Sequence, residues 1–195
     1  MPSPSPVVND TTRYILDAIW SHVWSGFDSP EDVHRVIDDL LEGDANEALL
    51  RAAVGPEFAR KAAAEATWPP ITDCDRLDAA FETLNTHGII ALQNTGYEMS
   101  DGLTEVAEAL HARGSRVGVQ GYCFYHGQDL ERVVRGEGLM LAFGSLDDDK
   151  PHKLKVGQRV RDILESGGFN VQWNGDAEAR LNLPGLDWKR RGPLA

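Results

Sequence analysis

The tripeptide Trp68-Pro69-Pro70 divides the chain into two parts with different hydrophobic patterns. Proline lacks a backbone N–H group and disfavours helical geometry in the residue before it, so two adjacent prolines end a helix and form a stiff connector. Before this connector, apolar residues recur only at helical spacing, whereas after it short apolar runs alternate with helical segments. The pattern predicts an all-helical region over residues 10–70 and an α/β domain over residues 71–195.

Four helices are predicted in the N-terminal region. Asp10 caps the first, and Ser29 caps the second, in which a proline occupies the first turn. Residues 44–47 resemble a capping box and predict a short third helix that ends near Gly55. Pro56 then starts a fourth helix, because proline is well tolerated at the first helical position.

The proline-rich segment 1–9 predicts a disordered arm. This segment has neither the basic n-region nor the apolar h-region of a secretory signal, so none is expected. The two cysteines, Cys74 and Cys123, are far apart and form no C-x-x-C pattern. Reduced thiols and a cytoplasmic location are therefore expected.

The chain carries 31 acidic and 19 basic side chains, a net charge of −12. Nucleic-acid binding needs clustered lysine and arginine, and anionic membranes repel an acidic protein, so neither is expected as a partner. The excess of acidic over basic side chains is greatest, relative to length, in residues 1–70, which hold 12 acidic and 5 basic side chains. Since 42% of the residues are hydrophobic, we expect a soluble globular protein that can bury a core.

Several short apolar runs after the connector predict the strands of one sheet. They comprise residues 89–93, 117–125, 139–143 and 169–173, and residues 180–183 are expected to add an antiparallel edge strand. Helices lie between them, one of them capped by Ser100. The fold class is therefore α+β, with an α/β-like layered sheet and helices, preceded by the helical region. The connections are long enough for parallel pairs, but the strand order stays open.

Two adjacent segments resemble a bacterial family of unknown function. Residues 121–132 contain an aromatic-His-x-Gln-Asp-x-Glu motif, and residues 138–144 form the Gly-Leu-x-Leu-Ala-Phe-Gly strand that follows it. The resemblance covers residues 72–191 and implies the α/β fold without implying an activity. Many members of that family have a cysteine cluster in the loop after the first strand. The corresponding loop here, residues 94–102, has no cysteine, so the resemblance gives no support for a metal or redox role.

The strongest candidate site is the junction where the second strand ends and the next helix begins. Free backbone N–H groups at a helix start can bind an anion, and the carboxyl edge of a sheet often holds ligands. His126 is the candidate general acid or base, with Asp129 or Glu131 orienting its ring. The ligand-binding candidates are Asn94, Tyr97, Tyr125, Gln128 and Arg132. A structural interpretation is also open, because acidic residues in a first turn favour the helix dipole and His126 or Gln128 can cap the helix.

The loop at residues 94–102 is the second candidate. If the first two strands are parallel neighbours, this loop lies at the same sheet edge as His126, and Asn94, Tyr97 and Asp101 complete one pocket. The alternative is an ordinary glycine-containing loop that leads into the helix capped by Ser100.

The sequence contains no phosphate-binding, dinucleotide-binding or G-x-S-x-G motif, so no cofactor is expected. The histidines and cysteines have no compact ligand spacing, so no metal is expected either.

Two classes of function fit these features. One is a binding or regulatory protein, for example an inhibitor- or immunity-like protein, which binds a basic protein partner or a small anionic ligand. The other is a small hydrolase or transferase that uses His126 with Asp129 or Glu131. Whether the protein is an enzyme, and its oligomeric state, stay open at this point.

Overall fold

The computed structural model describes residues 8–147 and 149–192. Over this range the chain forms an α+β fold, as predicted, in which three helices precede a fourth helix and the first strand. The helices are α1 Asp10–Ser25, α2 Pro30–Leu40, α3 Glu47–Glu65, α4 Asp73–Thr86, α5 Met99–Ala112, α6 Gly127–Val134 and α7 Lys150–Ser166. The strands are β1 Ile89–Leu92, β2 Gly121–Phe124, β3 Leu139–Gly144 and β4 Leu181–Leu183. Of the predicted disordered arm, residues 1–7 lie outside the described range.

Residue contacts group the chain into two compact units. The helical unit contains the chain up to Pro70 together with the segment from Lys189 onward, and the sheet unit contains Ile71–Trp188. The domain bounds predicted from the sequence, 10–70 and 71–195, stay a prediction and place the C-terminal segment with the α/β domain, whereas residue contacts group it with the helical unit. That segment contacts helical-unit residues: the Gly192 N–H donates to Glu65 at 3.1 Å, and Arg191 donates to the Pro69 carbonyl at 2.6 Å.

The helical unit is held together by an aliphatic core between α1, α2 and α3. Each core side chain is at most 1% exposed, and they are Ile15, Ile19, Val23, Val33, Ile37, Leu50 and Val54. Ser29 caps α2 as predicted, since its side chain accepts from the Asp32 N–H. Asn9, and not Asp10, caps α1, because the Asn9 side chain accepts from the Thr12 N–H at 2.8 Å.

The predicted break between a third and a fourth helix is wrong, because α3 continues through Pro56. Its N-cap is Asn46, one residue before the helix. A proline inside a helix removes one backbone hydrogen bond. Leu50, Val54 and Phe58 follow one another at intervals of four residues and all pack on the same core, so burial on both sides of the proline keeps the helix continuous.

The sheet has the order β1-β2-β3-β4, with β1 and β2 parallel and the other neighbours antiparallel. The predicted antiparallel edge strand is confirmed as β4, which pairs with β3. The predicted strand at residues 169–173 is wrong, because this segment touches β4 only through a single bridge between Gln172 and Asn182. β2 is also shorter than predicted and begins at Gly121, after a turn in which Gly118 has a φ of 78°.

Helix α5 begins two residues before the position expected from Ser100. Its N-cap is Glu98, and Ser100 lies inside the helix. The Asp101 carboxylate accepts from the N–H groups of Tyr97 and Glu98, at 3.0 and 2.9 Å, and thereby fixes the earlier start. Among the described helices, none has both the length and the apolar character needed to cross a bilayer.

Candidate functional site

The carboxyl ends of β1 and β2 meet at one edge of the sheet because the two strands are parallel neighbours, with Leu92 opposite Phe124. The loop after β1 therefore lies against the segment after β2. The Thr95 N–H donates to the Tyr125 carbonyl at 3.1 Å, and the Gly127 N–H donates to the Gly96 carbonyl at 2.9 Å. Strands β1 and β2 are thus parallel neighbours, and the loop at residues 94–102 and the segment around His126 lie at the same edge of the sheet.

An open cleft of about 610 Å³ lies at this edge. Its lining residues come from the start of α5, from α6, and from the β3–β4 side, and they are Glu98, Met99, His126, Gln128, Asp129, Arg132, Met140 and Arg180. Four predicted site residues are thus brought together: His126, Gln128, Asp129 and Arg132.

A buried ionic cluster forms the floor of the cleft. Asp129 is only 2% exposed, and its Oδ2 accepts from the Arg180 guanidinium. The same oxygen lies 3.2 Å from His126 Nε2 and 3.3 Å from the His126 backbone N–H. Arg180 also donates to the Met140 carbonyl at 3.0 Å. The carboxylate is therefore compensated by charge and hydrogen bonds, as a buried charge requires.

Burial lowers the pKa of His126 below its usual value of 6.5, and the Arg180 charge acts in the same direction while Asp129 opposes it. The ring is therefore neutral at pH 7. With Nε2 directed at an ionised carboxylate, the ring proton belongs on Nε2, which leaves the lone pair on Nδ1. His126 Nδ1 is buried and has no hydrogen-bond partner among the residues that the structure describes. The ring thus acts in this state as a donor that holds Asp129.

The expected anion cradle of free N–H groups at the start of α6 is wrong. The first four N–H groups of this helix are already bonded: Gly127 to the Gly96 carbonyl, Gln128 to the Tyr97 carbonyl, and residues 129 and 130 to the His126 carbonyl. The loop after β1 supplies two of these acceptors. Any anion in the cleft must therefore be bound by side chains.

The other predicted site residues do not line this cleft. Tyr125 is fully buried, and its hydroxyl donates to Gln93 Oε1 at 3.0 Å. Tyr97 is 53% exposed and packs beside Gly127, where a Cβ atom would lie 2.9 Å from the Tyr97 ring. Asn94 is half-buried with a φ of 52°, and Glu131 is half-buried on α6.

Arg180 lines the cleft but was not among the site residues predicted from the sequence. It lies 51 residues after Asp129 and immediately precedes β4. The antiparallel register of Leu141 with Leu181 brings Arg180 beside β3 and hence to Asp129. The predicted edge strand contained Arg180, but only the pairing register reveals which side chains it meets.

The described residues contain no group of three or more histidine, cysteine or acidic side chains arranged to hold a metal ion. Cys123 is fully buried in β2, and burial raises the pKa of its thiol to about 12. This thiol is therefore protonated at neutral pH and is a poor nucleophile.

No curated protein and no solved structure matches the chain. A family model described as a domain of unknown function, DUF6891, matches residues 9–192. The match is wider than the resemblance over residues 72–191, because it also includes the three helices of the N-terminal region. The chain therefore belongs to the DUF6891 family, whose domain spans both units described above.

Proposed function

We propose that the protein is a binding or regulatory protein whose cleft beside His126 takes a small anionic ligand. The observation that carries this proposal is that two guanidinium groups, those of Arg132 and Arg180, line the same cleft as the Gln128 amide. Arginine binds carboxylates and phosphates through paired, charge-assisted hydrogen bonds.

The two arginines differ in how firmly they are held. Arg180 is anchored by Asp129, and its side chain is 27% exposed. Arg132 is 52% exposed and lies 3.7 Å from an equally exposed Glu137, a contact of the kind that contributes little in water. Arg132 can therefore exchange this partner for a ligand at small cost.

The other residues that line the cleft restrict which anionic ligands fit it. Met99 and Met140 give the cleft an apolar, adaptable side, and its volume is typical of small-molecule sites. Glu98 adds an exposed carboxylate, which opposes ligands with negative charge at both ends. A single anionic head joined to an apolar body fits this lining best.

Calorimetric titration with phenyl phosphate and phenylacetate, with phenylacetamide as the neutral analogue, tests the proposal. We expect the two anions to bind at least about tenfold more tightly than the amide, since a desolvated charge-assisted contact is worth more than 1 kcal/mol. Arg132→Gln should remove this preference. Arg135→Gln is the matched control, because Arg135 is exposed at the other end of α6 and does not line the cleft. Equal losses in both variants, or equal binding of the amide, would refute the proposal.

The hydrolase or transferase alternative is favoured by one observation, the 3.2 Å approach of His126 Nε2 to Asp129. The described lining of the cleft includes no hydroxyl or thiol side chain, so water has to be the nucleophile and hydrolysis is the better match. This alternative predicts that phenyl phosphate releases phosphate in the presence of the wild-type protein and not with His126→Gln. Absence of turnover by the wild type, together with binding, supports the binding function.

Inhibitor- or immunity-like binding of a basic protein is a separate proposal, supported by the acidic excess of residues 1–70. Asp39 and Glu42 are exposed near the end of α2 and contribute to this surface. Complementary charge mainly accelerates association at low salt. A basic partner should therefore associate more slowly with an Asp39→Asn/Glu42→Gln double variant, whereas an unchanged association rate at low salt would reject this role.

A further inference from the structure

A second cavity, of about 580 Å³, lies within the helical unit. We infer that this cavity is a separate binding site for a small organic cation, an amine that carries an aromatic or aliphatic body. The proposal goes beyond the anion-binding cleft, because it concerns different residues and the opposite sign of ligand charge.

One wall of the cavity is apolar. Val23 of α1 is 1% exposed, and Phe58 and Ala62 of α3 lie one helical turn apart beside it. Helix α3 places residues 58, 61, 62 and 65 along one of its faces. A volume of this size with an apolar wall is typical of sites for small organic molecules.

The charged groups that line the cavity are three carboxylates, Asp28, Glu31 and Glu65, and one ammonium, Lys61. Lys61 is 3% exposed, and its ammonium group pairs with Glu65 and lies 5.8 Å from the centre of the Trp68 ring. Glu65 also accepts from the Gly192 N–H at 3.1 Å. The charges of Lys61 and Glu65 therefore compensate each other. The carboxylates of Asp28 and Glu31 then give the cavity a net negative charge.

The carboxylates of Asp28 and Glu31 differ in their hydrogen-bond partners within the protein. Asp28 Oδ2 lies 3.0 Å from His22 Nδ1 and accepts from the Ser25 hydroxyl at 3.3 Å. Glu31 is exposed in the first turn of α2, and the helix is capped by Ser29 and Asp32 without its help. The Glu31 carboxylate is therefore available to a ligand. The nearby Arg190 guanidinium lies over the Phe27 ring, 4.5 Å from its centre, and is not part of the lining.

An apolar wall with a carboxylate beside it complements a molecule whose hydrocarbon body packs on Phe58 and Val23 while its ammonium group reaches Glu31. An anion of the same shape would face Asp28 and Glu31, and the one cation in the described lining, Lys61, is already paired with Glu65. A neutral analogue would keep the apolar contact and lose the charge-assisted hydrogen bond. Charge selectivity among molecules of one shape is therefore the property to measure.

Titration of the full chain with phenethylamine, 2-phenylethanol and phenylacetate, followed by calorimetry, measures this selectivity. We expect the amine to bind about tenfold more tightly than the alcohol, which corresponds to one charge-assisted contact, and the acid to bind no better than the alcohol at this cavity. Phenylacetate also probes the cleft, so its titration is repeated with Arg132→Gln, in which amine binding should be unchanged.

Two variants assign the amine to this cavity. Glu31→Gln should lower amine affinity about five- to tenfold and leave the alcohol unchanged, whereas Glu42→Gln, at an exposed carboxylate outside the lining, should change neither. Ala62→Phe, at an exposed position on the cavity wall, should block both the amine and the alcohol by filling the space. The inference fails if no probe binds at millimolar concentration, if the acid equals the amine in Arg132→Gln, or if Glu31→Gln behaves like Glu42→Gln.

Discussion

The two units of this protein differ in where they place buried ionic groups. Among the described residues, the helical unit has a core of seven aliphatic side chains, most of its carboxylates lie at the surface, and its buried Lys61 pairs with Glu65 outside that core. The sheet unit buries an ionic cluster, with His126 at 4% and Asp129 at 2% exposure. Helices satisfy their own backbone groups, so apolar side chains suffice between them. At the end of parallel strands the chain turns toward a helix, and polar side chains there find backbone and side-chain partners inside the fold. We therefore expect the two units to respond differently to substitution.

The largest effect is expected from Asp129→Ala in the sheet unit. This change leaves the Arg180 guanidinium without its carboxylate and removes the acceptor of the His126 N–H group. Breaking a buried pair by removing one partner typically costs about 3–5 kcal/mol of unfolding free energy. Urea denaturation followed by circular dichroism measures this loss.

The double variant Asp129→Ala/Arg180→Ala is the control for this prediction, since it removes both charges and should recover part of the stability. Asp38→Ala is the surface comparison. Its carboxylate pairs with Arg51 but is 57% exposed, so a loss below about 1 kcal/mol is expected. Similar losses for Asp129→Ala and Asp38→Ala would contradict the picture of a buried cluster.

In the helical unit the largest loss is expected from an apolar truncation. Leu50 is fully buried on α3 within the aliphatic core. Leu50→Ala should lower the unfolding free energy by about 3 kcal/mol, because it removes buried surface and leaves a cavity. Under conditions in which this variant stays folded, the cleft of the sheet unit should keep its affinity for phenyl phosphate. A variant that is folded but loses that affinity would show that the core of the helical unit supports the cleft.

The difference between the units also explains what the sequence could predict. Hydrophobic spacing and capping residues predicted the starts of α1 and α2 to within one residue, because these signals are local. The prediction of a helix break at Pro56 was wrong because α3 is kept continuous by tertiary packing. Leu50, Val54 and Phe58 all pack on one core, and the local sequence does not show this packing. The segment 169–173 has the apolar pattern of a strand, yet the place beside β3 is taken by β4.

The candidate site was predictable only in part for the same reason. The junction after β2 and its residues His126, Gln128, Asp129 and Arg132 could be read from a strand followed by a helix. Arg180 could not, because its contact with Asp129 depends on the register of two antiparallel strands. The acceptors of the Gly127 and Gln128 N–H groups could not be predicted either, since they lie in a loop about 30 residues earlier.

A smaller effect, similar in both units, is expected at two matched helix caps. Ser29 begins α2 in the helical unit and Thr72 begins α4 in the sheet unit, and each forms a capping box with the aspartate three residues later. Ser29→Ala and Thr72→Ala should each cost about 1 kcal/mol, because a first-turn N–H loses its acceptor. Thermal unfolding compares the two directly. A loss above about 2 kcal/mol at only one cap would mean that this hydroxyl has a role beyond its helix.

The smallest effect is expected in the pH dependence of stability, where each unit contributes its own pH range. Burial lowers the pKa of His126, so the native protein takes up this proton less readily than the unfolded chain, in which the group titrates near 6.5. Above this value both states are neutral and His126 contributes no pH dependence. As the pH falls below it, the unfolded chain gains a proton first, and stability decreases until the native pKa is reached.

Asp32 of the helical unit acts at lower pH. Hydrogen bonds from Ser29 lower the pKa of its carboxyl from 3.8 to about 2, so its stabilisation is present above 3.8 and is lost as the pH falls toward 2. Between pH 7 and pH 6 the wild type should lose stability through His126, because its pKa is lower in the native state than in the unfolded chain. His126→Gln should be flatter over this range, while Asp32→Asn should keep the wild-type slope there and change it only below pH 4. Urea denaturation at closely spaced pH values separates the contributions of His126 and Asp32. If His126→Gln keeps the wild-type slope between pH 7 and pH 6, the pKa of His126 is not lowered in the native protein.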